Sequence, residues 1–349
     1  MNDDKEFRLS CPLPLTDYPH ILMAHGGGGR LMHQLIDKIF VAAFGVGNLE
    51  ATHDGAVLKP PGGRLVFTTD SYVVDPLFFP GGDIGRLAID GTVNDLAMCG
   101  GRPLYISTGF IIEEGLATDD LWRIAQSMRL AADEAEVKIV TGDTKVVDRG
   151  RGHGLYINTA GVGVIEHDLE IHPRHLQPGD KIILNGDIGR HGMAVMAARE
   201  NLSFETTIES DCAPLASSVQ ALIDGGIAVH CLRDLTRGGL ATTLVEIADS
   251  SGYEINLDEK KIPINEQVRG ACEILGYDPI YVANEGRFIA IVPGGDTDRV
   301  VEILKSDWPE TAVIGEVRPA RNGQVLMTGR LGAERTIDML SGEQLPRIC

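Results

Sequence analysis

The segment Arg64-Leu65-Val66-Phe67-Thr68-Thr69-Asp70 has the composition of a β-strand that ends on an aspartate. Branched and aromatic side chains dominate it, and the preceding Pro60-Pro61-Gly62-Gly63 sequence is a turn signal. A second predicted strand, residues 54–58, lies before this turn and carries Asp54 at its start. Aspartates at the ends of strands recur along the chain, and they direct our expectations for both fold and function.

Helices and further strands flank this segment in the first half of the chain. Apolar residues at helical spacing predict helices over 31–43, over 85–99 and from Thr118 to residue 135. Thr118, followed by Asp119 and Asp120, is predicted to cap the last of these helices. Strands are predicted over 104–112, 137–140 and 156–165, with the polar run 141–145 following the second of them. The first half is therefore predicted to mix α and β structure.

The second half repeats this mixture. Predicted strands cover 181–184, 228–232, 253–257, 280–283 and 288–292, and predicted helices cover 192–200, 214–225, 240–250, 266–275 and 297–307. A chain of 349 residues is long enough for two domains. We predict a leader arm over 1–20, an N-terminal domain over 21–166, a C-terminal domain over 167–339 and a mobile tail over 340–349.

The charge balance excludes several classes of protein. The formal net charge is −19, with 50 acidic against 31 basic side chains, so a basic nucleic-acid interface is not expected. No apolar run reaches the length of a membrane span, and the acidic first residues do not resemble a signal peptide. The six cysteines lie far apart, without a C-x-x-C pair. We therefore expect a cytoplasmic protein that binds neither nucleic acid nor membrane.

Isolated aspartates are the main candidates for chemistry. They are Asp54, Asp70, Asp95, Asp143 and Asp234. Hard cations such as Mg²⁺ prefer carboxylate oxygens and are often shared with substrate phosphates. Taken singly, each aspartate is better explained as a cap or turn residue. Asn94-Asp95 is the most informative pair, because polar groups inside an apolar helix are costly to bury without partners.

Other residues and motifs narrow the possible types of functional site. Lys145 and Glu285 are further charged candidates, with surface positions as the alternative. The glycine run 26–29 precedes a helix but lacks the Gly-Lys-Ser/Thr of a P-loop. Neither an H-E-x-x-H nor a G-x-S-x-G motif occurs. The residues alone predict a two-domain α/β protein that binds a metal-nucleotide without a P-loop.

The chain ends on a cysteine, in the sequence Leu345-Pro346-Arg347-Ile348-Cys349. Terminal residues are usually mobile unless something docks them, and ten extended residues span about 33–36 Å. This thiol could therefore reach a cleft on the body of the same chain. Chemistry alone leaves open whether the terminal cysteine is functional or a chance residue in an unconstrained tail.

Several longer motifs resemble one family. They are residues 68–85, Gly91-Thr92-Val93-Asn94-Asp95, residues 141–147, residues 233–239, Ala283-Asn284-Glu285-Gly286 and Pro346-Arg347-Ile348-Cys349. Together they resemble the HypE family, the carbamoyl dehydratases of [NiFe]-hydrogenase maturation, over residues 20–349. The wider superfamily also contains aminoimidazole ribonucleotide synthetase and selenophosphate synthetase.

The resemblance implies a two-domain aminoimidazole-ribonucleotide-synthetase-like fold, with an N-terminal sheet that dimerises and a C-terminal α/β domain. It implies ATP and Mg²⁺ as cofactors. The implied metal ligands are Asp54, Asp70, Asp95 and Asp234, and the implied nucleotide contacts are Asn94, Gly142, Asp143 and Thr144.

The implied reaction takes place on Cys349. A HypF-type carbamoyltransferase loads the thiol, ATP-dependent dehydration turns the thiocarbamate into a thiocyanate, and the HypC–HypD complex receives the cyano group. The candidate bases for removing the amide protons are Lys145 and Glu285, with His153 third. A selenophosphate synthetase is the enzymatic alternative, although Cys11 does not match that family's reactive cysteine. A non-catalytic protein that uses its tail as an anchor is the other alternative.

Overall fold

The computed structural model of the chain describes residues 18–45, 55–59, 62–200, 202, 207–339 and 348–349. Asp54 and most of the predicted leader arm and tail lie outside these residues. Across the described residues, every helix is too short or too polar to cross a lipid bilayer.

The N-terminal part consists of a four-stranded sheet and the helices that pack against one side of it. The helices are α1 (Arg30–Leu35), α2 (Ala42–Phe44), α3 (Ile84–Met98) and α4 (Thr118–Glu134), with a π-helical segment, Ile36–Val41, between the first two. The strands are β1 (Arg64–Tyr72), β4 (Arg102–Glu113), β5 (Lys138–Val147) and β6 (Leu155–Ile165), and a small hairpin is formed by β2 (Phe78–Phe79) and β3 (Gly82–Asp83).

The four strands lie in the order β1-β6-β4-β5, so β1 and β5 form opposite edges. Helix α3 packs on the inner face of this sheet, and α4 packs on α3. Asp83 caps α3, because its carboxylate accepts hydrogen bonds from the backbone N–H groups of Gly85 and Arg86. The outer face is open in the described part of the chain. It exposes Phe67, which is 67% accessible, along with Leu65 and Ile111.

The C-terminal part is built on a seven-stranded sheet in the order β13-β12-β9-β11-β7-β10-β8. Its strands are β7 (Lys181–Leu184), β8 (Cys231–Asp234), β9 (Glu254–Asp258), β10 (Phe288–Val292), β11 (Ala312–Arg318), β12 (Val325–Thr328) and β13 (Glu334–Ile337). Its helices are α5 (Arg190–Arg199), α6 (Ala216–Asp224), α7 (Gly239–Ser251), α8 (Glu266–Leu275) and α9 (Thr297–Lys305). The sequence prediction did not include β11, β12 or β13.

Helix α3 joins the two parts, because it contacts α6 and β8 as well as its own sheet. Asn94 fixes this contact. Its amide group donates to the backbone carbonyls of Ala213 and Glu285 at 3.1 and 3.2 Å, and its side-chain oxygen accepts from the Leu215 N–H at 2.8 Å. The site described below is therefore assembled where α3 meets the C-terminal part.

Most predicted helices and strands are confirmed, but several local predictions were wrong, among them the strand predicted over 228–232, which begins only at Cys231. Residues 55–58 do not form a strand, and Val57 is 88% exposed, so this segment buries no apolar side chain against the sheet. Residues 279–281 form a short 3₁₀ turn where a strand was predicted. Thr118 does not cap α4, because its hydroxyl donates to the Tyr18 carbonyl and Ala117 occupies the cap position.

The polar run 141–145 was predicted to follow a strand but lies inside β5. An edge strand with one open face can carry polar side chains along its whole length, which explains why the strand continues. Gly142 has a packing role there, since a Cβ atom at this position would lie 2.4 Å from the Thr108 carbonyl oxygen of β4. The domain limits 21–166 and 167–339 stay predictions.

Candidate active site

Two of the predicted metal ligands lie together where β1 passes α3. Asp70 belongs to β1 and Asp95 to α3, and the Thr68 hydroxyl of the same strand donates to Asp95 Oδ2 at 2.8 Å. Burial, together with the charge of Asp70, raises the pKa of Asp95 above its usual value. The charge of Asp70 thus disfavours the ionised form of Asp95.

Asp234 brings a third carboxylate from the C-terminal sheet. It is the last residue of β8, the edge strand that α3 contacts. Burial raises its pKa to about 7, and the nearby charge of Asp95 adds to the shift. A group with such a pKa is half protonated near neutral pH, whereas an ordinary aspartate is fully ionised.

Glu285 is the most deeply buried carboxylate of this group, with 3% of its surface accessible. Burial raises its pKa well above the usual range, and the charges of Asp234 and Asp211 contribute. Its Oε1 atom is buried without a hydrogen-bond partner. Unsatisfied buried polar atoms are uncommon and costly, and they often mark functional positions.

The backbone around Glu285 is held rigidly. The next residue, Gly286, donates its N–H to Asp211 Oδ2 at 3.2 Å. A Cβ atom at Gly286 would lie 1.9 Å from the Asp211 carbonyl oxygen, so only glycine fits. On the other side, the Asn284 side chain accepts from the Gly189 N–H and donates to the Leu235 carbonyl. These contacts explain the Asn-Glu-Gly sequence and fix where the Glu285 carboxyl group lies.

The end of the chain lies in the same cleft. Ile348 is 3% accessible and packs in the main apolar core, and Cys349 packs against that core half-buried. Burial raises the pKa of the Cys349 thiol, with Glu285 as the largest charge contribution and Asp70 and Asp234 as smaller ones. Burial and these negative charges therefore keep the terminal thiol protonated at neutral pH.

Asp70, Asp95, Asp234, Glu285 and Cys349, which we call the acidic cleft, combine hard oxygen donors with one thiol. Within the described residues, no three His, Cys, Asp or Glu side chains are close enough together to hold a metal ion. The donor chemistry nevertheless suits a hard divalent cation, because carboxylates that raise each other's pKa values are stabilised by a positive charge. Arg237 supplies part of such a charge, with Nη2 4.0 Å from Asp70 Oδ1.

Asp143 and Lys145 lie elsewhere. Lys145 Nζ contacts both carboxylate oxygens of Asp143 at 2.7 Å, and both side chains are exposed. In the register of the sheet, Asp143 of β5 aligns through β4 and β6 with Ser71 of β1. It therefore lies three strand spacings, roughly 14 Å, from the β1 edge of the sheet, and its side chain is on the open face. The structure therefore does not place these two residues in the acidic cleft of the same chain.

The remaining predicted residues have local roles. Thr144 is buried, and its N–H donates to Asp143 Oδ1 at 2.9 Å. His153 contacts the Tyr156 ring edge to face. Asn94 uses its amide to join the two parts of the chain, as described above. The roles of Lys145, Gly142, Thr144 and Asn94 in binding or catalysis stay predictions.

Sequence reasoning missed several residues that lie next to the acidic cleft. His191, Ser210, Asp211 and Cys212 surround the docked end of the chain or the Glu285 loop. They occur in stretches without a recognisable motif. Only the unusual density of polar residues in Glu209-Ser210-Asp211-Cys212, next to a buried helix, could have drawn attention to them.

Comparison with known proteins agrees with this geometry. The family models for the N-terminal and C-terminal domains of AIR synthase related proteins match residues 52–165 and 177–327. The carbamoyl dehydratase HypE of Azotobacter vinelandii is 49% identical over 329 residues, which cover 94% of this chain and 96% of that protein. The chain belongs to the HypE family.

Solved HypE structures share the whole architecture. A crystal structure of the hydrogenase maturation protein HypE in complex with ATP superimposes with a TM-score of 0.91 and 46% identity, covering 94% of this chain and 99% of that one. A HypE–HypF complex gives a TM-score of 0.77 and 43% identity, covering 89% and 100%. The AIR-synthase-like fold expected from the motifs is thus confirmed, and the selenophosphate synthetase and non-catalytic alternatives lose their support.

Proposed function

We propose that this chain uses ATP to dehydrate a carbamoyl group carried on its own C-terminal thiol, and so supplies the cyanide ligand for the iron of a [NiFe]-hydrogenase. The observation that carries the proposal is the docked end of the chain. Ile348 packs in the main core, its carbonyl oxygen lies 2.9 Å from His191 Nε2, and Asp211 links His191 to Gly286, the residue after Glu285. A substrate carried on this thiol would enter the cleft together with the tail.

The reaction balances with ATP as the only co-reactant. The carbamoyl oxygen of Cys349–S–C(=O)NH₂ attacks the γ-phosphorus, and ADP leaves. Loss of both N–H protons then forms the C≡N bond as the C–O bond breaks and phosphate departs. The products are Cys349–S–C≡N, ADP and phosphate, so the elements of water leave in the phosphate.

Glu285 is the best placed group to take an N–H proton. A general base must lie within hydrogen-bond reach of the proton that it removes. Glu285 is next to Gly286, which shares Asp211 with His191, the residue that contacts the end of the chain. Its raised pKa makes the carboxylate a stronger base than an exposed glutamate. Its unpartnered Oε1 leaves one oxygen available for a substrate N–H.

Mg²⁺ fits the donor chemistry of the acidic cleft. Asp70, Asp95 and Asp234 would hold it, and Asp54, which lies outside the described residues, is the fourth predicted ligand. The ion supplies charge neutralisation during phosphoryl transfer. The protein's own contribution would be to bring these carboxylates together despite their burial, which raises the pKa values of Asp95 and Asp234.

We further propose that nucleotide binding involves Gly142, Asp143 and Thr144 on β5, and that two copies of the chain pair through the open sheet face. Exposed Phe67 and Leu65 on that face support pairing, because monomeric proteins rarely expose contiguous apolar surface. Pairing would bring Lys145 toward a second chain. Phe67→Asp should shift the mass measured by light scattering from dimer to monomer, and an unchanged dimer would contradict this surface.

The proposed partner proteins are those that the Cys349 thiol must meet before and after dehydration. A HypF-type carbamoyltransferase would load Cys349, and a HypC–HypD complex would receive the cyano group. Both need the tail outside the cleft, so the docked position is one of at least two. The cytoplasm suits such a thiol, because a reducing compartment keeps it free for loading.

Mass spectrometry of the C-terminal peptide tests the proposal. The full chain is incubated with the carbamoyltransferase and carbamoyl phosphate, and ATP is then added. We expect a gain of one carbamoyl group on Cys349 followed by the loss of one water. A carbamoylated peptide that stays unchanged while ATP is hydrolysed would contradict the dehydration.

A further inference from the structure

The docked tail is held by a side chain outside the acidic cleft. His191, at the start of α5, is fully buried, and its Nε2 lies 2.9 Å from the backbone carbonyl oxygen of Ile348. This carbonyl belongs to the residue directly before Cys349. The contact therefore acts on the backbone and fixes the point from which the terminal thiol extends.

The neighbours of His191 determine which ring nitrogen carries the proton. Burial lowers the pKa of His191, so the ring is neutral and has one N–H. A carbonyl oxygen only accepts, so Nε2 must carry the hydrogen and Nδ1 must accept. The Ser210 hydroxyl lies 2.9 Å from Nδ1 and can donate to it. Cys212 Sγ lies 3.1 Å from the same Ser210 oxygen and is the last group in this series of polar contacts.

His191 is also linked, through the side chain of Asp211, to the loop that carries Glu285. The His191 backbone N–H donates to Asp211 Oδ1 at 3.1 Å, and the other oxygen of Asp211 accepts from the Gly286 N–H. The Phe79 ring meets the imidazole edge to face, with 5.3 Å between ring centroids. One carboxylate thus holds both the residue that binds the tail and the residue next to Glu285.

We propose that His191 is the positioning residue for the C-terminal tail, with Ser210 setting its tautomer and the buried Ile348 side chain supplying the apolar part of the docking site. The proposal deepens the dehydration function proposed above and rests on it for its biological purpose. It assigns recognition of the tail to the penultimate residue. Cys349 is thereby left free to carry a substituent into the acidic cleft.

The rate of alkylation of Cys349 in the full chain measures docking without ATP or a partner protein. Iodoacetamide modifies the thiol only when the tail is undocked, and peptide mass spectrometry assigns the modified cysteine. His191→Phe keeps a buried ring but removes the donor. We expect alkylation of Cys349 to accelerate by about three- to tenfold, the typical effect of one neutral hydrogen bond. His191→Gln, which places an amide N–H near the Nε2 position, should restore most of the slow rate.

Two further variants keep the test interpretable. Ile348→Ala changes only the penultimate residue, so the fold stays intact, and it should accelerate alkylation by about tenfold or more because a buried aliphatic side chain is lost. His25→Phe makes the same ring exchange at another fully buried histidine and should leave the rate unchanged. Cys99, which is exposed, gives an internal reference rate in every sample.

Equal rates for Cys349 in the wild-type chain and in His191→Phe, with Ile348→Ala also unchanged, would overturn the proposal. Acceleration in His25→Phe to the same extent as in His191→Phe would also overturn it, because the effect would then be general loosening of the core. The outcome is independent of nitrile formation. A chain that forms no nitrile but shows the expected alkylation pattern would contradict the proposed function and leave the role of His191 standing.

Discussion

The buried carboxylates of the acidic cleft and the exposed Asp143 on the open sheet face have pKa shifts in opposite directions. In the acidic cleft, burial raises the pKa values of Asp95 and Glu285 and brings that of Asp234 to about 7. On the open sheet face, Asp143 is exposed and paired with Lys145, and this hydrogen bond lowers its pKa. The difference lies in what surrounds each group.

The comparison shows which region is built for a further charged component. A carboxylate with its own cation is satisfied without a ligand, as at Asp143. Carboxylates that are buried together are destabilised until a positive charge or protons join them. The carboxylates of the acidic cleft would therefore be stabilised by a further positive charge, whereas Asp143 on the open sheet face is already paired with Lys145. The predictions below separate the two regions, starting with the largest effect.

Replacing Cys349 with serine should abolish nitrile formation completely. The hydroxyl is a far weaker nucleophile than a thiol at neutral pH, so no carbamoyl group is loaded. The melting temperature and the dissociation constant for ATP should stay at wild-type values, because the change only replaces one sulfur atom with oxygen at the end of the chain. Cys99→Ser is the matched control and should retain activity. Nitrile formation in Cys349→Ser would place the chemistry on another group.

Glu285→Gln should slow dehydration of the carbamoylated chain by about 10²–10⁴-fold, the usual contribution of a positioned base. The measurement is the rate of water loss from the C-terminal peptide in a single turnover. A rate within threefold of wild type would remove Glu285 from the proton transfer.

The same variant has a second, pH-dependent signature. Because the pKa of Glu285 is raised in the folded chain, the unfolded chain loses its proton at lower pH. Wild-type stability therefore decreases as pH rises above the usual glutamate pKa, while Glu285→Gln is insensitive to this ionisation. We expect the melting temperature of the variant to exceed that of wild type by a margin that grows with pH. A margin that shrinks with pH would contradict the burial of this charge.

The sequence was a good guide to elements with regular periodicity and to the acidic residues themselves. Asp70, Asp95 and Asp234 were predicted as metal ligands together with Asp54, and the structure places these three where α3 contacts β1 and β8, with the charges of Asp95 and Asp70 raising the pKa of Asp234. Their role as metal ligands stays a prediction. The alternation of β1 and the helical spacing of α3 are local properties, so they can be derived from neighbouring residues. The motif resemblance then linked the three separate segments.

The parts that could not be predicted depend on long-range packing. Lys145 and Glu285 were grouped as candidate bases, yet one lies on the open sheet face and the other in the cleft. That separation follows from the position of β5 at the far edge of the sheet, which no local pattern encodes. The docking of Ile348 on His191 joins residues 157 positions apart. The sequence showed a tail long enough to reach a cleft, but not the contact that receives it.

Affinity of the cleft for a divalent cation should rise with pH. Asp234 must lose its proton to bind a metal ion, and its pKa of about 7 places that loss near neutrality. We expect the association constant for Mn²⁺, measured by electron paramagnetic resonance without nucleotide, to increase by up to about tenfold per pH unit below pH 7 and to level off above it. Asp234→Asn should weaken binding and remove this pH dependence.

Asp224→Asn is the control for the cation measurement, because Asp224 ends α6 on the surface, where its Oδ1 accepts a hydrogen bond from the Gln220 amide. It should bind Mn²⁺ as wild type does. Equal affinity for Mn²⁺ in Asp234→Asn and Asp224→Asn would mean that the acidic cleft is not the cation site.

The smallest effect is expected for the exposed pair. Asp143→Asn removes the charge that Lys145 contacts, but surface ion pairs contribute only about 0–1 kcal/mol to the free energy of unfolding. Since the pKa of Asp143 is lowered in the folded chain, this contribution is present above the usual aspartate pKa and is lost as pH falls through the lower value. Urea unfolding at neutral and acidic pH measures it. A loss of several kcal/mol would show that Asp143 is buried in solution, which an interface across the open sheet face would produce.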